Sequence, residues 1–153
     1  MKETRVCAAL LALLLAIAAL CYAPGAASEL SELLPVETLV VDRTAGALTV
    51  SSGALSGSGA DWRSAMEALR ACAPGKVFLE TADRVILTER AADALPELCA
   101  DPSLRPAVQL FLLRGEPGEG LEEFAAARTS GATPEDPREL PVILKENGRY
   151  RLA

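Results

Sequence analysis

Between Asp61 and Arg114 the hydrophobic positions change period several times, and each change marks an element. In DWRSAMEALRAC, residues Trp62, Ala65, Met66, Leu69 and Cys72 recur at helical spacing, which predicts one helix with a single apolar stripe. Arg63, Glu67 and Arg70 fall on its outer face. Asp61 is placed to cap the N-terminus, and Pro74-Gly75 ends the helix. KVFLE and RVILTE then read as short strands, the alternative being one strand continued after a bend or bulge. TERAADALPELCA reads as a second helical stretch and AVQLFLLRG as another strand. Thr88 is a candidate cap for the second helix, whose apolar positions are Ala91, Ala92, Leu95 and Leu98. Pro96 lacks a backbone N–H, so the helix breaks or restarts there with the proline in a first turn.

The flanks follow the same logic. PVETLVVDRTAGALTVSSG predicts two strands about the turn at Gly46, with Val36, Thr38 and Val40 alternating against Leu39 and Val41. A strand apolar on both faces belongs inside a covered sheet, and AVQLFLLRG has the same property. The glycine- and serine-rich Gly53 to Gly59 reads as a loop feeding the first helix. As a phosphate cradle it fails, because its spacing matches no nucleotide fingerprint and Asp61 would repel an anion. GLEEFAAAR predicts a last short helix packing Leu121, Phe124 and Ala125. Thr129 to Leu140 has the composition of a linker, and Asn147-Gly148 predicts a hairpin within 141–153. The expected fold is α/β, with α+β the alternative. It is a mixed sheet of about four to five strands packed by two to four short helices. The domain would span 28–128, the linker 129–140, and the hairpin would begin a second domain.

Met1 to Ala27 stands apart. Lys2 and Arg5 precede the apolar run Cys7 to Leu20, and small residues follow, as in a secretory signal or a membrane anchor. Cleavage after Ala27 is one route; lipidation of Cys21 is the other. Both place the body of the protein outside the cytoplasm, secreted or membrane-associated. There Cys72 and Cys99 are candidates for a disulfide, the alternative being two buried thiols. The chain carries a net charge of −6 without a basic cluster, which argues against nucleic acid and against docking on anionic lipid.

The sequence contains no histidine, which removes Ser-His-Asp and Cys-His catalysis and histidine metal sites. Glu122-Glu123 point about 100° apart on a helix and form no catalytic pair. Glu80 with Asp83 lacks the spaced oxygen ligands of a cation loop. Trp62, on the apolar stripe, reads as a core anchor. No catalytic, cofactor-binding or metal-ligating residue is assigned, and no enzyme activity is expected.

Five segments, in order, resemble a known family: LLPVETLVVD; GADWRSAMEALRA after its glycine-rich stretch; KVFLETADRVILTERAAD; DPSLRPAVQLFLLRGEP; and ELPVILKENGRYRLA. Together they are similar to the N-terminal domain of the Ger(x)C spore germination proteins, the C subunit of nutrient germinant receptors. The resemblance implies a lipoprotein that acts by protein–protein contact with the membrane-embedded A and B receptor subunits at the spore inner membrane. It also implies that this chain stops where the second domain of the family would begin. A free secreted or lipid-anchored module binding a small ligand is the alternative.

Overall fold

The structure is a computed structural model and describes residues 33–153. The leader and Cys21 lie outside the described residues. The strands are β1 (Leu33–Pro35), β2 (Thr38–Thr44), β3 (Ala47–Ser52), β4 (Leu55–Gly59), β5 (Lys76–Phe78), β6 (Arg84–Thr88), β7 (Gln109–Arg114), β8 (Val142–Glu146) and β9 (Arg149–Leu152). The α-helices among the described residues are α1 (Trp62–Cys72), α2 (Leu95–Cys99) and α3 (Leu121–Ala126). One sheet has seven strands in the order β4-β3-β2-β6-β7-β8-β9, and β1 pairs with β5 in a small sheet of its own. Strands β2, β6, β7 and β8 run parallel, with antiparallel partners closing both sides. The expected mixed α/β architecture is therefore present, with a wider sheet than the sequence suggests.

Register sorts the apolar side chains into two cores. Leu39, Val85 and Leu110 lie abreast on adjacent strands, and one residue further so do Val40, Ile86 and Phe111. A step of one residue turns a side chain to the other face. The first row, with Val41, Leu48, Val50 and Leu87, packs under Trp62, Ala65, Met66 and Leu69 of α1 and under Ala91, Ala94 and Leu98. The second, with Leu113 and Ile143, packs under Leu121 and Ala125 of α3, with Phe124 and Tyr150 at its margin. Each fully buried large side chain of this kind contributes about 1.5–3 kcal/mol.

The N-terminus of α1 is closed by side chains. Asp61 Oδ1 accepts from the Ser64 N–H at 2.8 Å, and Ser64 Oγ accepts from the Asp61 N–H at 3.2 Å. Glu97 accepts a further donor, the Trp62 N–H, at 3.1 Å. These three bonds satisfy amides that no preceding turn can reach. The apolar stripe ends at Leu69, since Cys72 is exposed.

Several expectations are corrected. Gly53 to Gly59 is no loop over most of its length, because Leu55–Gly59 is strand β4, paired with β3. Its glycines let α1 sit directly on it: a Cβ at Gly57 would lie 2.5 Å from the Ala65 carbonyl oxygen, and one at Gly59 2.5 Å from the Ala65 nitrogen. β5 and β6 are separate strands in different sheets, divided by a 3-10 turn at Leu79–Thr81. The stretch after β6 is a 3-10 helix, Glu89–Ala94, before α2 restarts with Pro96 in its first turn. At three residues per turn, Ala91 and Ala94 point inward and Ala92 is exposed. Thr88 does not cap that helix with its side chain.

The supposed linker is packed into the domain. Ser130 Oγ donates to the Leu110 carbonyl at 2.6 Å, the Ser130 N–H reaches Gln109 Oε1 at 2.9 Å, and Ala132 is buried. The hairpin after it does not open a separate unit. β8 pairs in parallel with β7, matching Leu112 to Val142, so the hairpin completes the sheet. Burying Ile143 against Phe111 and Leu113 is the reason.

Replacing Gly57 with Ala should force α1 off the sheet and cost about 2–3 kcal/mol. Gly131→Ala, where a Cβ meets nothing within 4 Å, should leave the thermal melting midpoint unchanged. Leu69→Asp would bury an unpaired charge and should unfold the domain. Circular-dichroism melting of the three variants checks all three outcomes.

Candidate functional site

The start of α1 and the turn after α2 meet around Trp62. Its ring is buried, as the sequence predicts for a core anchor, and its Nε1–H donates to Asp101 Oδ2 at 2.6 Å. Asp101 Oδ1 accepts from the Ser103 N–H at 2.8 Å and from the Ser103 hydroxyl at 2.6 Å. Burial disfavours the Asp101 anion, but the hydrogen bonds from Ser103 and Trp62, with the charge of Arg70, prevail. They hold the carboxyl below its ordinary value of 3.8. An indole donor with no acceptor would be costly here, so the pair fixes the turn Asp101–Ser103 against α1.

Beside this pair lies a groove of about 770 Å³. Arg63, Met66, Glu67 and Arg70 of α1 line one side, and Glu97, Asp101 and Ser103 line the other. Charges of both signs thus border the groove, with Trp62 between the two sides. Such a groove suits the backbone and mixed charges of an extended polypeptide better than an apolar small molecule.

A second cluster occupies the carboxyl ends of the parallel strands, where ligands of open α/β sheets bind. The buried Thr88 hydroxyl donates to Asp42 Oδ1 at 2.6 Å, and Arg90 Nη2 donates to Asp42 Oδ2 at 3.0 Å. Arg43 binds Asp93 through two nitrogens at 3.2 and 2.8 Å, and Arg114 Nε donates to Glu89 at 2.6 Å. These groups saturate one another and brace the 3-10 helix on the ends of β2 and β6.

The residues singled out in the sequence are not drawn together. Cys72 and Cys99 are free thiols and form no disulfide: Cys72 is exposed, and burial pushes the Cys99 thiol up from its ordinary value. Asp83 pairs with Arg105 rather than with Glu80. Glu122 accepts from the Gly53 N–H at 3.2 Å, tying α3 to the tip of the β3–β4 hairpin, while Glu123 is exposed. Among the described residues no three His, Cys, Asp or Glu side chains group as a metal ion requires, and no helix is long and apolar enough to cross a membrane. Asp101 and Asp42 escaped the sequence reading because Trp62 lies 39 residues from the first and Thr88 46 residues from the second.

No family model, no curated protein and no solved structure matches the chain.

Because the folded-state carboxyl of Asp101 is depressed, its contribution is complete above the unfolded value near 3.8 and is lost as pH falls through the lower folded value. Asp101→Asn should therefore be less stable at pH 7 yet lose less stability on acidification. Asp61 and Glu146, also depressed, keep some acid sensitivity in the variant. Melting midpoints from pH 7 to 2, read by the emission of the sole tryptophan, check the crossover.

Proposed function

We propose that this protein is an extracytoplasmic, Ger(x)C-like spore germination domain that acts by contact, without bond chemistry, on the membrane-embedded A and B germinant receptor subunits. The observation that carries the reading is the ordered run of five resembling segments. Their placement supports it. LLPVETLVVD supplies β1 and most of β2, GADWRSAMEALRA supplies α1, and KVFLETADRVILTERAAD supplies β5 and β6. DPSLRPAVQLFLLRGEP leads into β7. The fifth segment departs from the resemblance: it joins the same sheet as β8 and β9 and does not open another domain. The groove beside Trp62, with charged walls, fits a contact role better than the alternative of a small-ligand module.

In spores carrying the tagged full chain, the protein should fractionate with the inner membrane and crosslink to the A and B subunits. Deleting those subunits should release it. Recovery only from the medium of growing cells would end this reading.

A further inference from the structure

The two edges of the main sheet are built differently. β9 carries Arg149 and Arg151, and Arg151 is locked to Glu146 at 2.7 Å, so a second strand approaching there meets charge. β4, at the other edge, is Leu55-Ser56-Gly57-Ser58-Gly59, without charge or proline. Along its outer side alternate residues direct backbone N–H and C=O groups away from β3, and among the described residues no strand meets them. Natural sheets guard such an edge with lysine, proline or a bulge. This one has none of these.

The helix above the edge is equally uncharged on that flank. α1 rests on Gly57 and Gly59 through Leu69, Ala65 and Ser64. Its charged residues Arg63, Glu67 and Arg70 line the groove on the other side. By helical spacing, Ser64, Ala68 and Cys72 lie in one row beyond Ala65, over the free edge. Small side chains there leave room for a second helix.

We propose that β4 is the interface of a two-fold symmetric dimer, in which β4 of one copy pairs antiparallel with β4 of the other about Gly57. The occupant is a second copy for a reason of charge. The protein is acidic overall, so self-association needs a neutral patch, and this edge and flank are one. At β9 the same operation would set Arg149 and Arg151 against their own copies. In the Gly57-centred register Ser56 faces Ser58 of the other copy, and Leu55 faces Gly59. Hydroxyls then pair on the open face of the sheet, while the Ser64–Ala68 flanks of the two helices approach on the other. The interface is isologous and closes, which blocks further edge-to-edge growth. The inference does not depend on the germination reading.

Purified full chain should sediment as a dimer at micromolar concentration. Ser56→Lys with Ser58→Lys places lysines opposite lysines across the two-fold and should weaken the dimer about ten-fold or more, leaving the monomer's circular dichroism intact. Under mild oxidation, a mixture of Ser56→Cys and Ser58→Cys chains should form disulfide-linked heterodimers in several-fold excess over either variant alone. A monomeric wild-type chain overturns the proposal. So does a dimer indifferent to the lysines, or crosslinking that ignores the mixture. Hydrogen-exchange protection, in a monomer, of the β4 amides that point away from β3 would overturn it as well, since another segment would then hold the edge.

Discussion

The close seating of α1 on the β3–β4 hairpin is the constraint on which the rest depends. Two glycines remove the side chains that would hold helix and strand apart, and the helix then lowers Trp62, Met66 and Leu69 onto Leu48 and Val50. Backbone-to-backbone approach of this kind tolerates no intermediate spacing: a single methyl group would have to displace main chain, which yields far less readily than a side-chain tip. Once α1 is fixed, the position of Trp62 is fixed, and with it the turn that holds Asp101 and the first residues of α2. The groove walls are therefore set by strand β4, on the far side of the helix.

The rim at the carboxyl ends of the parallel strands is organised by the same economy. Asp42 ends the apolar part of β2, and Thr88 ends β6, so the parallel register sets them near one another without any turn between them. Arg90 then completes the pairing and anchors the 3-10 helix. What in other open sheets is a vacant crevice is here filled by the protein's own charges.

The parts of the fold that depend on local pattern were legible. The spacing of Trp62, Ala65, Met66 and Leu69, the two-sided apolar strands and the restart at Pro96 all follow from the residues themselves. The parts that depend on who packs on whom were not. Ser56-Gly57-Ser58-Gly59 has loop composition, and its pairing with β3 under the helix lying on it makes it a strand. Ala91 and Ala94 fit a three-residue turn as well as Ala91, Ala92 and Leu95 fit a longer one, and burial decides between them. The stretch 129–140 is polar almost throughout, so the buried Ser130 and Ala132 leave little trace in its average. At the groove, Trp62 was readable as a core residue, but its carboxylate partner was hidden by sequence distance.

The packed connection between α3 and β8 also alters where the domain can be divided. Ser130 answers a carbonyl of β7, and β8 covers the flank of that strand. A chain cut at residue 128, where composition invites a boundary, would uncover β7 along its whole hydrogen-bonding side, with Phe111 and Leu113 beside it. An apolar central strand turned into a rim is a nucleus for aggregation. The polar segment that resembles a spacer, with β8 after it, keeps the apolar strand β7 from becoming an edge.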